Sequence, residues 1–302
     1  MRADCHSTLS RAIKEDLQSV HTSIADLKAD TTTIKSDTTV LLDETAARLK
    51  HDLLQWICPV DYQVQHRDFI DRHQPGTGQW FLQDMKFQEW HHSKDATLFC
   101  PGVPGAGKTI VASLVIDHLL RSQHVADEPV TFVYCNYKRQ SEQSAKHMLS
   151  SILRQIIDIQ PGVPKLIRDF YTLHTTQRTT PSSDEIRQIL EAVSKDLRGL
   201  NIIVDALDEC EIRARQEFLL AVEALRRQCE VRLLATSRPL PLVQSHPTFL
   251  DKPILEIRAS NEDLEKYVKS RASELHSGVM SKPDLFDDLV TSTVSATGGM
   301  YV

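Results

Sequence analysis

The chain predicts an α/β fold of the phosphate-loop type, with a parallel sheet flanked by helices. Three observations carry that expectation. Short apolar strands alternate with amphipathic helices from residue 97 onward, a glycine-rich octapeptide joins the first strand to the next helix, and an acidic cluster closes a later strand. Around this core the sequence predicts an N-terminal helical or coiled-coil region and a short C-terminal helical segment. The expected boundaries are 1–58 for the N-terminal region, 59–95 for a connecting segment, 96–260 for the core and 261–302 for the helical tail.

Neither Pro nor Gly occurs before Ile57. Leu9, Ile13, Leu17, Val20, Ile24, Leu27, Ile34 and Leu41 recur at three- and four-residue steps, with Thr31 and Thr38 filling the missing positions. That spacing suits a coiled-coil or helical-hairpin seam. The threonines from Thr31 to Thr39 weaken it, because β-branched polar residues disfavour helix. An amphipathic helix folded onto its own chain and a self-association helix both fit this pattern. Pro59 ends the block. In the connecting segment Pro75-Gly76-Thr77-Gly78 signals a turn, and Trp80, Phe81, Phe87 and Trp90 read as packing residues. His91 and His92 read as solvated.

Strands are expected at Thr97–Cys100, Val130–Cys135, Asn201–Asp205 and Val231–Thr236, with a weaker fifth at Ile254–Ile257. Between them a helix follows Lys108, another runs from about Ser141 to Ile159, and a third opens on the capping box Ser182-x-x-Glu185 with Gly199 at its C-terminal cap. Phe218, Leu219, Val222 and Leu225 mark a fourth. A last helix starts after Ser260, with Asp263 closing a second capping box. Apolar strands separated by helices imply a parallel sheet covered on both faces.

The octapeptide is Gly102-Val103-Pro104-Gly105-Ala106-Gly107-Lys108-Thr109. Its glycines let the backbone wrap a polyphosphate with N–H groups inward, and the helix from Ile110 onward presents its positive end to the anion. Lys108 suits the β- and γ-phosphates, and the Thr109 hydroxyl suits Mg²⁺. A partner carboxylate is expected from Asp205, at the end of an apolar strand, holding the metal with Thr109. Asp208 and Glu209 lie just beyond, where either can orient an attacking water. The competing reading is an acidic turn opening a helix. Arg238 closes the fourth strand, where a guanidinium can read a γ-phosphate, although it also suits a plain surface arginine. Arg139 is a weaker candidate for the same task. ATP is expected over GTP because no Asn-Lys-x-Asp guanine-reading segment occurs, with GTP kept as the second candidate.

Net charge is −6 over 302 residues with both signs mixed, so neither a nucleic-acid groove nor an anionic membrane surface is expected as a partner. The six cysteines (Cys5, Cys58, Cys100, Cys135, Cys210 and Cys229) show no metal spacing and read as reduced thiols. No apolar signal core and no stretch long enough for a bilayer is found, so a cytoplasmic protein is expected.

Together the phosphate loop, the block Asp205-Ala206-Leu207-Asp208-Glu209 and the strand end Thr236-Ser237-Arg238-Pro239 resemble the NACHT branch of the STAND signalling NTPases. More narrowly, Tyr134-Cys135-Asn136-Tyr137, the acidic block with Cys210, and Gly299-Met300-Tyr301 are similar to segments of fungal NOD-like receptors, which often carry ankyrin repeats. The resemblance spans roughly Trp80 to the end. It implies an innate-immunity-type switch: ADP closed, ATP open, slow hydrolysis as reset, and self-association through the NACHT core that gathers N-terminal helices. A protein trigger and effector are implied without being identified. On this reading residues 261–302 begin a helical lid, and the stop at Val302, inside an unfinished apolar segment, reads as a fragment or truncated product. Two rival functions stand beside the switch: a phosphotransferase, and an oligomerisation module that nucleotide only stabilises.

Overall fold

The computed structural model describes residues 2–122, 128–273, 288 and 291–292. Expectations for the remainder of the tail, including Gly299-Met300-Tyr301, lie outside the described residues. The chain divides into two units, residues 1–53 and 54–302.

The first unit is helical throughout its described residues, as the body of α1 (Arg2–Ile57), whose last turn belongs to the second unit. A helical hairpin is therefore not formed. With no Gly or Pro, nothing in the sequence reverses the chain. The threonines do not break the helix either; their hydroxyls bond back to carbonyls four residues earlier, Thr31 to Leu27 at 2.7 Å and Thr38 to Ile34 at 2.7 Å. Leu17, Val20, Ile24, Leu27, Ile34 and Leu41 are exposed, Leu27 by 65 %. The side chains of Leu9 and Ile13 lie outside the described residues.

In the second unit the segment expected as a connection forms three helices, α2 (Tyr62–Arg72), α3 (Gln79–Gln83) and α4 (Met85–His92). Phe81, Phe87 and Trp90 are buried, as packing residues should be, and Trp90 donates to Leu233 O at 3.0 Å. His91 is not solvated. Its ring stacks on Phe87, its Nδ1 is buried without a hydrogen-bond partner, and burial, then His92 and His118, push its pKa to about 4.

The core follows in order: β1 (Thr97–Pro101), α5 (Lys108–Ser122), β2 (Val130–Tyr134), α6 (Ala145–Ile159), α7 (Lys165–Gln177), α8 (Ser183–Ser194), β3 (Gly199–Asp205), α9 (Ile212–Leu225), β4 (Glu230–Ser237), α10 (Pro241–Gln244) and α11 (Asn261–Ser273). The strands pair in parallel in the order β1-β4-β3-β2. Every strand residue except Glu230 is buried, which only a sheet covered on both faces allows.

Several boundaries differ from expectation for local reasons. Residues 137–142 form a 3-10 turn, so α6 starts at Ala145, capped by Ser144. The Ser182–Glu185 capping box is present, but α8 ends at Ser194 and Gly199 opens β3 instead of capping a helix. Helix α7 was not anticipated. Its buried Ile167, Phe170 and His174 are interleaved with exposed Leu166 and Leu173, which blurs the period. Ile254–Ile257 is not a full strand. The segment hydrogen-bonds along β1 (Leu255 N to Phe99 O 3.0 Å, Ile257 N to Pro101 O 2.7 Å) but makes a single bridge, Phe99 to Ile254. It covers the exposed edge of β1. At the start of α11, Ser260 Oγ accepts from Asp263 N–H, while the Asp263 carboxylate turns away to Gly78 N–H at 2.9 Å, so only half of the expected box forms.

Candidate functional site

At the C-terminal ends of β1, β3 and β4 the chain leaves the sheet at nearly the same level, Pro101 opposite Ser237 and Val204 opposite Ala235. Gly102 N–H bonds to Ser237 O at 3.0 Å, which ties the start of the loop to β4. A Cβ on Gly102 would lie 2.8 Å from Ile257 O, so only glycine fits there. Gly105 (φ 76°) and Gly107 (φ 84°) take the left-handed conformations that close the loop before α5 begins at Lys108. Gly102 and Ala106 are buried, whereas Val103, Pro104 and Gly105 are exposed at the loop's outer rim.

Pro104, Gly105, Gly107, Lys108, Thr109 and Ile110 line one side of a cavity of about 420 Å³. Ala206, Asp208, Glu209 and Arg238 line the other, so the loop and the acidic strand tip meet in space. A hydrogen bond joins them: Thr109 Oγ1 donates to Asp205 Oδ2 at 2.7 Å. The other carboxylate oxygen, Oδ1, accepts from Thr236 Oγ1 at 2.6 Å, and that hydroxyl accepts from Ala206 N at 2.9 Å. Burial raises the Asp205 pKa against the opposing pull of Thr236, Thr109 and Lys108. The carboxylate's direct partners are neutral hydroxyls, and together with Thr109 it forms a hard oxygen pair of the kind Mg²⁺ accepts. Lys108 Nζ donates to Gly102 O at 2.9 Å and Val103 O at 3.0 Å, and burial lowers its pKa although Asp208 and Asp205 lie near. Glycine cradle, lysine and oxygen pair are thus the donors a magnesium–nucleotide requires, and the residues fit the group.

The two candidate water-directing acids have partners of their own. Asp208 Oδ1 accepts from Arg238 N–H at 2.8 Å and Oδ2 from Arg238 Nε at 2.5 Å. Burial pushes the Asp208 carboxyl up, but the Arg238 hydrogen bonds outweigh it and leave the pKa below the usual range. Glu209 Oε2 accepts from Tyr137 N–H at 3.0 Å. Ala206 sits at φ 54°, a left-handed conformation that costs a non-glycine residue roughly 1–2 kcal/mol and aims the Leu207–Glu209 turn at the cavity. Arg139 is placed elsewhere, lining a separate cavity with Tyr62, Tyr134 and Asn136.

Sequence reasoning did not single out Thr236 as a residue that positions Asp205. Its signal was present as a hydroxyl at a strand end, but its role depends on β3 and β4 being neighbours. Nor did it single out the buried chain linking His66 Nδ1 to Tyr134 Oη (2.9 Å), Tyr134 Oη to Ser113 Oγ (3.2 Å), and Ser113 Oγ to Thr109 O (2.7 Å). That chain runs from α2 to the first turn after the loop.

Among solved structures the chain is similar to the Aeropyrum pernix ORC1 protein in complex with DNA, at 19 % identity over 68 % of this chain and 51 % of that one, with a TM-score of 0.47. AMPPCP-bound DnaA from Aquifex aeolicus matches at 16 % identity over 70 % and 56 %, TM-score 0.40. Drosophila ORC bound to DNA matches at 17 % over 78 % and 51 %, TM-score 0.40. The chain spans about half the length of these proteins. No curated protein matches it. The family model described as Nephrocystin 3, N-terminal, matches residues 76–238, a stretch that holds the loop, Asp205, the acidic turn and Arg238. The chain belongs to the Nephrocystin 3 N-terminal family.

Proposed function

We propose that this chain is a Mg-ATP-binding signalling switch of the NACHT type with slow hydrolysis. The observation that carries the reading is the 2.7 Å contact between Thr109 and Asp205 beside the glycine cradle, since it assembles both halves of a metal–phosphate site. Lys108, released from the Gly102 and Val103 carbonyls, would bind the β- and γ-phosphates, and Thr109 with Asp205 would hold the metal. When bound, magnesium–ATP supplies an electrophilic γ-phosphoryl group whose charge the cation partly neutralises. Arg238 would bind the γ-phosphate, with Asp208 orienting the guanidinium. Glu209 would turn from Tyr137 N–H to orient water. We place the NTPase core at residues 96–260, a helical lid from 261 and the protein in the cytoplasm. Among the described residues no helix is long and apolar enough to cross a membrane. The exposed seam of α1 supports self-association through a second copy of the same helix.

One observation favours a second reading, nucleotide binding without turnover: both acids beside Asp205 already hold protein partners. Phosphate release separates these readings, and a thermal shift tests the nucleotide binding they share. Lys108→Ala should abolish the rise in melting temperature with ATP, and an unchanged shift would remove Lys108 from the site. Asp208→Asn and Glu209→Gln should keep ATP binding yet slow phosphate release by about tenfold or more if either acid directs water. Absence of phosphate release from the unaltered chain, with the thermal shift intact, selects the non-hydrolytic module.

A further inference from the structure

The loops after β2 and β3 are clasped together at one place. Cys135 N–H bonds to Asp205 O at 3.0 Å, Tyr137 N–H to Glu209 Oε2 at 3.0 Å, and Gln140 Nε2 to Glu209 O at 2.8 Å. Inside this clasp the free thiols of Cys135 and Cys210 face each other, both buried, with their sulfurs 2.6 Å apart. Covalent bonding at about 2.05 Å needs less than an ångström of further approach. Met148 Sδ, 4.0 Å from Cys210 Sγ, places a third polarisable sulfur beside the pair.

We propose that Cys135 and Cys210 form a reversible disulfide under peroxide, a modification that staples the acidic turn to the β2 loop. One thiol, as thiolate, attacks a peroxide oxygen. The O–O bond breaks, giving a sulfenic acid and, with a proton, water. The neighbouring thiol attacks that sulfur, the S–O bond breaks, and a second water leaves as the sulfurs join. The two electrons lost by sulfur reduce the peroxide, and both thiol protons end in water. Both thiols are buried, so peroxide reaches them slowly and the pair responds to sustained oxidation. Once formed, the bond confines Glu209, the residue before Cys210, to its contact with Tyr137 N–H. The bond itself forms whether or not the nucleotide reading holds.

The test is prolonged incubation of the full chain with hydrogen peroxide, then unfolding in iodoacetamide and peptide mapping without reductant. The expected result is a peptide joining Cys135 to Cys210, dissolved by dithiothreitol, together with a melting temperature raised by several degrees that returns to the reduced value. Cys210→Ser should lose the linked peptide and the rise together. Both residues recovered as alkylated thiols after oxidation, or either one joined to another cysteine, would overturn the proposal.

Discussion

Asp208 and Arg238 show how one side chain changes another's meaning. Read singly, Asp208 is an acid available to direct water and Arg238 a cation at a strand end; in the fold they are one ion pair with the Asp208 side chain 1 % exposed. Replacing either therefore moves both. His91 carries the opposite lesson, since a histidine in a polar stretch is buried far enough to be held neutral. Its folded pKa of about 4 lies below the unfolded value of about 6.5, so the unfolded state binds more protons between those values. The stability it contributes is complete above about pH 6.5 and is lost as pH falls through about 4. Burial leads this depression, His92, His118 and Arg232 add to it, and Glu128 opposes it. His91→Phe keeps the stacking on Phe87 and removes the titration, so the melting temperature should fall less between pH 7 and pH 4.5 than in the unaltered chain. An identical fall, measured by circular dichroism, would remove His91 as a source of acid sensitivity.

At the level of elements, local chemistry predicted best where it needed no distant partner. The α8 capping box is complete, with Ser182 Oγ accepting from Glu185 N–H and Glu185 Oε2 accepting from Ser182 N–H. Ser182→Ala should cost about 1 kcal/mol, read as a lower urea midpoint at unchanged slope. An unchanged midpoint would mean that tertiary packing alone holds the start of α8. Boundaries failed where packing decided them. Gly199 carries a helix-ending signal, yet it opens β3 because hydrogen bonding to β4 takes that backbone into the sheet. The Ile254–Ile257 run has strand composition but meets only the edge of β1, with Pro253 lacking an N–H to extend the ladder. In α1 a stretch that lowers helix propensity does not end the helix, since no Gly or Pro accompanies the threonines and their hydroxyls bond within the helix itself.

For the whole molecule, α1 leaves Leu17, Val20, Ile24, Leu27, Ile34 and Leu41 exposed along one seam. Truncation should spare the buried Leu54, Ile57 and Cys58 and the Trp56 ring that packs edge-on against Phe170. Removal of residues 1–49 should therefore leave the second unit folded while reducing self-association in sedimentation velocity. An unchanged distribution of species would exclude α1 as the contact. The sequence by itself determined the parallel α/β class, the glycine loop between β1 and α5, and the positions of Lys108 and Thr109 at the start of α5 and of Asp205 at the end of β3, because strand period, glycine spacing and strand-end charge are local properties. Only tertiary structure decided that Thr236 and Thr109 share the Asp205 carboxylate, that Arg238 engages Asp208, and that Cys135 meets Cys210. Each of those contacts joins residues on different elements, and their proximity follows from the strand order β1-β4-β3-β2, which no local pattern specifies.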